Sequence, residues 1–416
     1  YTTFIYCLIH NNSMILKDTL RTIVHSQRDN LSKSEIGTRR ELLEKIDAKL
    51  PFALVLSGIR RCGKSTLLDQ LMKEIKHYHY FNFEDPRGTG FETADFQKLE
   101  EVFIEENGKQ DYYFFDEVQN IDKWELGIRY LLDQKKHVVL TGSNASLLSK
   151  ELGTRLTGRH LRFELFPFSF SEFLLFTKQK AGLSSFEEYL QKGGFPEYLR
   201  TSRIEVLQEL LNDIVARDIV VRHQLRNIAT IKEIAIYLLS NTGKEFSYTS
   251  LKEMFKLGST HTAIDFVSYL EDSYLLFTIP KFDYSLKKQS VNPKKVYSID
   301  NGLSTVNTGS FSKDKGRILE NSVFLHLRRT NPKIYYFKQQ HECDFLIKEK
   351  EAITQAIQVC YELMEENKER EINGLLEAMQ TFKLKTGMIL TQHQEDKIEI
   401  QNKTIYVKPA WKWMNE

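Results

Sequence analysis

Cysteine is scarce in this sequence. The 416 residues contain four cysteines, Cys7, Cys62, Cys343 and Cys360. No two of them have the C-x-x-C spacing that is typical of a zinc site or a redox dithiol. Scattered cysteines of this kind agree with a reducing compartment, where thiols stay reduced. The sequence therefore favours a cytoplasmic protein.

Long apolar runs and an excess of charge of one sign are also missing. No apolar run approaches the ~18 residues that a membrane span needs. Hydrophobic residues make up 41% of the chain and charged residues 27%, and the net charge is +2. This composition is typical of a globular protein without a membrane partner, and any contact with nucleic acid has to come from a local basic patch. A chain of this length predicts two or three domains.

The first residues have neither a basic leader nor a small-residue cleavage site, so they do not read as a secretory signal. The chain opens on Tyr1, and its first methionine is Met14. We expect Met14 to be the natural start and residues 1–13 to come from an upstream extension. In the domain scheme, residues 1–34 are an N-terminal extension.

The spacing Gly58-x-x-x-x-Gly63-Lys64-Ser65 is that of a phosphate-binding loop, and it lies between an apolar strand and an apolar-periodic helix. The two glycines permit backbone angles that let successive N–H groups curl around an anion. The helix N-terminus adds about half a positive charge, and the Lys64 ammonium can follow the β- and γ-phosphates. The predicted nucleotide-binding residues are Gly58, Ile59, Arg60, Arg61, Cys62, Gly63, Lys64, Ser65 and Thr66. The Ser65 hydroxyl is expected to bind Mg²⁺.

Four further β-type runs, at residues 78–83, 111–115, 137–141 and 161–166, predict an open parallel sheet with helices between the strands. The second of these runs ends in Asp116 and Glu117, at the edge where such sheets place their chemistry. We expect Asp116 to hold the magnesium ion. Glu117 is predicted to be catalytic, accepting a proton from the attacking water.

Two more residues are predicted to act in catalysis. Asn144 follows the strand predicted at residues 137–141, where it or Ser143 can reach the γ-phosphate or the lytic water. Either residue can equally cap the next helix. Arg159 lies in a glycine-bearing loop and is predicted to enter the γ-phosphate site of a neighbouring subunit. That role requires a homo-oligomer, and an intramolecular ion pair is the alternative.

Several motifs together resemble a known family. They are GIRRCGKS at 58–65, FDEVQ at 115–119, TGSN at 141–144, LTGR at 156–159, FPFSFSEF at 166–173, GGFPE at 193–197, RDI at 217–219 and YSIDNGL at 297–303. They resemble the bacterial and archaeal AAA-type P-loop ATPases that carry a C-terminal domain of unknown function. The resemblance covers most of the chain from about residue 35. It implies Walker A and Walker B sites, ATP and Mg²⁺ as cofactors, a winged-helix middle and a degenerate nuclease-like end.

The second half begins with helical periodicity, which Gly193, Gly194 and Pro196 interrupt at an expected joint. Helical runs and two strands then predict a winged helix, with lysines 281, 287, 288, 294 and 295 on its hairpin. These lysines are placed to contact DNA phosphates, but the recognition helix is acidic and poorly suited to base readout. DNA is therefore a possible partner, and protein docking is the alternative.

The C-terminal segment resembles the nuclease fold whose metal site combines a helix Glu, a strand Asp and a Glu or Gln followed by Lys. Glu320, Asp344 and Gln358 take the metal-site positions, and Cys360 takes the position of the lysine. A mostly protonated thiol cannot replace that lysine in activating water. We expect a possible vestigial nuclease site without cleavage activity.

The expected fold class is α/β: a P-loop ATPase parallel sheet with helices, followed by a winged helix and a restriction-nuclease-like α/β domain. The expected domains are the ATPase at 35–180, a helical joint at 181–225, the winged helix at 226–310 and the nuclease-like domain at 311–416. The expected function is ATP hydrolysis that moves or assembles the C-terminal domains. The alternatives are an ATP-stabilised scaffold with little turnover and a DNA-associated ATPase or nuclease.

Overall fold

The structure is a computed structural model that describes residues 15–143, 156, 158–309 and 314–416. The chain forms two compact units. The first contains the described residues up to Ser57, Lys64–Gly142 and the described residues that follow up to Phe163. The second contains Gly58–Gly63, Ser143 and Glu164–Glu416.

A five-stranded sheet organises the first unit, in the order β2-β3-β4-β1-β5. Its strands are β1 Ala53–Ser57, β2 His79–Asn82, β3 Tyr112–Asp116, β4 His137–Gly142 and β5 His160–Glu164. The pairs β2–β3, β3–β4 and β4–β1 are parallel. All five residues of β1 are buried, as its apolar sequence predicts for a central strand. The expected parallel sheet is confirmed.

Helices cover this sheet: α1 Lys17–Lys33, α2 Lys64–Ile75, α3 Asp95–Asn107 and α4 Trp124–Asp133. Short 3₁₀ turns are Glu41–Lys45, Pro86–Gly88 and Val118–Asn120. One aromatic cluster fills much of the core, with ring centroids about 5 to 6 Å apart, and comprises Phe81, Phe83, Phe91, Phe96 and Phe115. Of the bulky residues that mark β3 in the sequence, Tyr113, Phe114 and Phe115 are buried in the core, and Tyr112 is partly exposed.

The second unit opens with helices: α5 Phe170–Thr177, α6 Leu183–Lys192, α7 Pro196–Thr201 and α8 Ile204–Asp213, then the π-helical segment Ile214–Val221 and α9 Ile228–Ser240. Gly193 ends α6 with φ +71° and Pro196 opens α7. The expected interruption is present, but the Gly194 N–H donates to Asp300 Oδ2 at 2.6 Å and its carbonyl accepts from Phe168 N. Hydrogen bonds therefore fix this turn through both the N–H and the carbonyl group of Gly194.

A three-stranded antiparallel sheet follows, in the order β6-β8-β7. Its elements are β6 Glu245–Phe246, α10 Tyr248–Met254, α11 Thr260–Asp272, β7 Leu276–Pro280, α12 Leu286–Val291 and β8 Lys294–Ser298. The sequence predicts a hairpin loop between β7 and β8, but α12 lies there and carries Lys287 and Lys288. Lys295 is 3% exposed, so it cannot contact a DNA phosphate as expected.

Helix α13 Asn301–Thr308 leads to a six-stranded mixed sheet in the order β13-β14-β12-β11-β10-β9. Its elements are α14 Lys315–Arg328, β9 Ile334–Lys338, β10 Glu342–Glu349, β11 Ala352–Val359, α15 Glu365–Thr381, β12 Thr386–Thr391, β13 Asp396–Ile400, β14 Lys403–Pro409 and α16 Ala410–Trp413. The pairs β11–β12 and β12–β14 are parallel, and β10 is antiparallel to both of its neighbours. An α/β arrangement of this region is confirmed.

Among the described residues, no helix combines the length and the apolar composition that crossing a lipid bilayer requires.

Candidate nucleotide-binding site

Lys64 and Asp116 lie at the same edge of the first sheet. Helix α2 begins at Lys64, soon after the end of β1, and β3 ends at Asp116. Strand β4 lies between β1 and β3 in the sheet. Lys64 is 5% exposed, and its ammonium lies 3.8 Å from Glu117 Oε1. The Ser65 hydroxyl forms a hydrogen bond with the Asp116 carboxylate. The structure therefore brings together the lysine, the hydroxyl and the two acids that the sequence singled out.

Thr141, at the end of β4, connects the two acids. Its hydroxyl accepts a hydrogen bond from the Glu117 backbone N–H at 2.9 Å and donates to Asp116 Oδ1. Tyr80 places its hydroxyl 3.5 Å from Asp116 Oδ2. Sequence reasoning assigned neither residue a role, although Thr141 ends a strand at this edge of the sheet. Both of them position the Asp116 carboxylate.

Glu117 has an unusual backbone conformation. Its φ is +54° and its ψ is +45°, in the left-handed region that a non-glycine residue adopts at some cost. Strained residues of this kind cluster at functional sites, where the surrounding structure holds them. The Gln119 side chain donates a hydrogen bond to Glu117 Oε2. The turn after β3 thus aims this carboxylate at Lys64 instead of letting it extend the strand.

Burial raises the pKa of Asp116, and the neighbouring charge of Glu117 raises it further. Hydrogen bonds from Thr141 and Ser65 and the charge of Lys64 act in the opposite direction. Two carboxylates this close to each other favour the arrival of a cation. Magnesium prefers oxygen ligands and keeps several waters, so one carboxylate and one hydroxyl are a sufficient protein contribution. Asp116 and Ser65 therefore fit the magnesium ion that the sequence implies.

The glycines of the loop have the backbone freedom that the motif requires. Gly63 has φ +101°, and Gly58 has φ +156°. A Cβ atom at Gly58 would lie 2.1 Å from the carbonyl oxygen of Leu165, so a side chain is excluded there. Cys62 is buried, and its thiol donates to the same carbonyl at 3.4 Å.

Ion pairs hold the two arginines of the loop within the second unit. The Arg60 guanidinium donates from Nε to Asp218 Oδ2 at 3.1 Å and from Nη2 to Oδ1 at 2.9 Å. Arg61 lies 3.4 Å from Glu197 Oε2 and 3.3 Å from Asp213 Oδ2. These acids belong to α7, α8 and the π-helical segment. The GGFPE and RDI motifs therefore contribute partners to residues of the phosphate loop.

Asn144 and Arg159 are the two remaining residues that the sequence predicts to act in catalysis. Asn144 lies outside the described residues. Arg159 lies at the amino end of β1, where its carbonyl accepts from Ala53 N at 3.0 Å, and its guanidinium is 2.5 Å from Asp133 Oδ1. Both side chains of that pair are about half exposed. The structure thus places Arg159 at the opposite edge of its own sheet from Lys64, in the intramolecular pair that was the alternative.

The predicted nuclease-like residues do come together in the second unit, but around a lysine. Glu320 and Asp344 both contact the ammonium of Lys295, and Gln358 accepts from the Asp344 N–H through Oε1 at 3.2 Å. Within the described part of the chain, no group of three or more His, Cys, Asp or Glu side chains is arranged to hold a metal ion. These residues do not fit the divalent ion that the resemblance implies.

Three family models match consecutive parts of the chain: an AAA domain at residues 51–174, a domain of unknown function (DUF8612) at 183–314 and another (DUF4143) at 315–413. The uncharacterized protein MJ1544 of Methanocaldococcus jannaschii is 35% identical over 98% of this chain and 97% of its own. An uncharacterized protein of Haemophilus influenzae is 29% identical over 89% of this chain and 98% of its own.

Solved structures with some likeness include AMPPCP-bound DnaA from Aquifex aeolicus, at 13% identity and a TM-score of 0.26 over 60% of this chain and 88% of that one. Another is Rhizobiales Trip13, at 16% identity and a TM-score of 0.26 over 49% of this chain and 80% of that one.

Proposed function

This chain belongs to the same family as the archaeal protein MJ1544, and on that premise we propose that it binds ATP with magnesium, hydrolyses it and couples the nucleotide state to its C-terminal half. The AAA domain at residues 51–174 supports ATP binding. The observation that carries the proposal of hydrolysis is the distance of 3.8 Å between the Lys64 ammonium and Glu117 Oε1, beside the bond between Ser65 and Asp116.

Binding uses the loop and the start of α2. The N–H groups from Gly58 to Thr66 and the positive end of the α2 dipole stabilise phosphate oxygens. Lys64 binds the β- and γ-phosphates, while Ser65 and Asp116 hold the ion. Magnesium bound there supplies positive charge against the phosphate oxygens. Thr141 keeps the Asp116 carboxylate oriented, because its hydroxyl donates to Oδ1.

Glu117 orients the attacking water and accepts its proton. Its left-handed backbone and the bond from Gln119 hold the carboxylate at the end of β3. The 3.8 Å separation from Lys64 is longer than a hydrogen bond. Lys64 can therefore turn to a phosphate without first breaking a close contact with Glu117.

Coupling begins at Arg60 and Arg61. Their ion pairs with Asp218, Asp213 and Glu197 connect the main chain of the loop to the helices of the second unit. A phosphate group drawn into the loop attracts both guanidinium groups and weakens their hold on these acids. The π-helical segment Ile214–Val221 is the element expected to respond, because π-helical insertions are frequent at functional sites.

The proposed finger, Arg159, acts on the site of a neighbouring subunit. It cannot act on its own site, since it lies at the opposite edge of the sheet. Its exposed pair with Asp133 contributes little to stability, so Arg159 can exchange that partner for a phosphate of another subunit. This part of the proposal requires a homo-oligomer when ATP is bound.

Phosphate release from ATP by the purified full-length chain, with and without Mg²⁺, tests the enzyme. Glu117→Gln is expected to lower turnover about 10²- to 10⁴-fold while nucleotide binding persists. Lys64→Ala is expected to abolish both. ATP at ~100 times its Kd stabilises the wild type by about 2.7 kcal/mol in thermal unfolding, and Lys64→Ala loses that shift. Glu74→Gln, on an exposed part of α2, is the matched control and retains both activities.

Wild-type protein without magnesium-dependent phosphate release would contradict hydrolysis, and a retained thermal shift would then identify an ATP-stabilised scaffold. Magnesium-dependent release at the same rate in the wild type and Glu117→Gln would contradict the catalytic role of Glu117.

Mixing two inactive variants tests the finger. Glu117→Gln has an intact Arg159, and Arg159→Ala has an intact Glu117. An arginine supplied in trans restores phosphate release in the mixture, and mass photometry shows larger assemblies when ATP and Mg²⁺ are present. Wild-type turnover of Arg159→Ala alone would leave Arg159 with the intramolecular role only.

A further inference from the structure

Three carboxylates surround the ammonium group of Lys295. Its Nζ lies 2.7 Å from Glu342 Oε1, 2.9 Å from Asp344 Oδ1 and 3.3 Å from Glu320 Oε1. Glu342 and Asp344 are two residues apart on β10, so they share one face of that strand. Glu320 approaches from α14. An ammonium group has three N–H donors. Two of them form hydrogen bonds with Glu320 and Asp344, and Glu342 forms the shortest ion pair of the three.

Each acid also accepts a second donor. The Tyr297 hydroxyl donates to Glu320 Oε1 at 2.7 Å, and Lys338 lies 3.1 Å from Glu342 Oε2. The Val359 N–H donates to Asp344 Oδ2 at 3.0 Å. Five of the six carboxylate oxygens that a divalent ion could use are thus already engaged by protein donors: both oxygens of Glu342, both of Asp344, and Oε1 of Glu320.

The neighbouring oxygens are engaged as well. Gln358 accepts from the Asp344 N–H through its carbonyl oxygen and donates to Glu371 Oε2 at 2.6 Å. Glu371 Oε1 accepts from the Arg370 side chain at 2.5 Å. A cavity of about 800 Å³, lined by all four of these residues together with Glu320, gives solvent ions a route to the cluster. Solvent ions can therefore reach the cluster, although its side chains are not arranged to hold a metal ion.

We propose that the Lys295 ammonium is the resident cation of the Glu320–Glu342–Asp344 cluster, occupying the place of a divalent metal ion, so that this cluster binds no metal in the native chain. Lys295 comes from β8, whereas the acids come from α14 and β10. The ammonium consequently joins the region that matches the middle family model to the region that matches the C-terminal one. The lysine that the nuclease-like pattern lacks at Cys360 is present in space, but as a structural cation and not as a group that activates water.

Manganese binding to the nucleotide-free full-length chain, followed by electron paramagnetic resonance, tests this. The wild type and Lys294→Met, a control at the adjacent strand position, are expected to bind no Mn²⁺ at the cluster. Lys295→Met is expected to gain one Mn²⁺ site at the cluster, at Mn²⁺ concentrations at least tenfold below the highest at which the wild type still shows none there. Asp344→Asn in the Lys295→Met background is expected to abolish that binding. Mn²⁺ should also raise the melting temperature of Lys295→Met and not that of the wild type.

Two outcomes overturn the proposal. One is a wild-type Mn²⁺ site that Asp344→Asn removes, because the cluster would then hold a metal with Lys295 in place. The other is a folded Lys295→Met protein that gains no Mn²⁺ binding. If Lys295→Met does not fold, the comparison of the wild type with Asp344→Asn still decides the first of these.

Discussion

Two buried clusters of this molecule combine a lysine with acids, and they differ in how closely the charges meet. In the first unit, Lys64 lies 3.8 Å from Glu117 Oε1. In the second unit, Lys295 lies within 3.3 Å of three carboxylates. Burial is similar, since Lys64 is 5% and Lys295 is 3% exposed. The distance between the lysine and its acids, and not burial, separates the two sites.

The comparison shows how one set of residue types serves a ligand in one place and the fold in another. A lysine with a distant acid can exchange that acid for a phosphate. A lysine that three carboxylates surround cannot be drawn away without leaving buried carboxylates uncompensated, which costs several kcal/mol. The first arrangement favours binding, and the second favours a fixed joint between β8, β10 and α14.

The same substitution at each lysine gives the sharpest test of this comparison. Lys295→Met is expected to lower the free energy of unfolding by about 3–5 kcal/mol, because three acids lose their shared cation. Lys64→Met should change it by less than about 1 kcal/mol and abolish ATP binding. Urea unfolding followed by fluorescence measures both. Trp124 reports the first unit, where Lys64 lies, and a Trp124→Phe background leaves Trp411 and Trp413 to report the second unit, where Lys295 lies. Equal losses of stability in the two variants would remove the distinction.

Asp300 extends the comparison to a buried acid that backbone N–H groups hold. It accepts from Gly194 N and Leu303 N, and burial raises its pKa to about 6, against the opposing effect of these hydrogen bonds. A raised pKa means that the folded state binds the proton more tightly than the unfolded state. This contribution is fully present below about pH 4, is lost as the pH rises through about 6, and reaches about 3 kcal/mol.

Unfolding of the wild type by urea at pH 4, 5, 6 and 7 measures this contribution. Asp300→Asn is expected to flatten the change in stability between pH 4 and 6, although it also loses one of the two side-chain oxygens that accept from backbone N–H groups. If the stability of Asp300→Asn changes with pH as steeply as that of the wild type, other groups cause the pH dependence.

The ion pair between Arg60 and Asp218 is intermediate in exposure between the buried cluster of Lys295 and the pairs on the surface, with side chains 22% and 6% exposed. Its two hydrogen bonds should give a coupling energy of about 1–2 kcal/mol in a double-mutant cycle of Arg60→Ala and Asp218→Ala. Denaturant unfolding and ATP affinity are both measured. Under the proposed coupling, saturating ATP reduces this coupling energy. The same value with and without ATP would argue against transmission through this pair.

The smallest effect is expected at the exposed pair of Arg159 and Asp133. Asp133→Asn should change the free energy of unfolding by less than about 1 kcal/mol, since solvent screens both charges. Its ATPase rate should equal or exceed that of the wild type, because Arg159 is released from its partner. A loss of more than 2 kcal/mol in chemical denaturation would mark the pair as structural.

Local patterns predicted the first sheet well. The apolar run of β1, the glycines after it and the bulky run before Asp116 each specify their own element, and the strands were confirmed. The helix α12 between β7 and β8 was missed, because only six residues from Leu286 to Val291 form it and their periodicity is too short to detect. Thr141 was missed as a positioning residue because threonine is an ordinary strand residue until its partners are known.

The sequence by itself determined the features that residues close together in the chain produce. These are the phosphate loop, the acids at the end of β3 and the alternation of strands and helices around them. The tertiary structure alone decided which charges meet over long separations, such as Arg60 with Asp218 and Lys295 with Asp344. The physical reason is that backbone conformation follows from local sterics and periodicity, whereas an ion pair depends on where separate elements pack. For that reason, the lysine that the nuclease-like pattern lacks at position 360 could be found only in the folded chain.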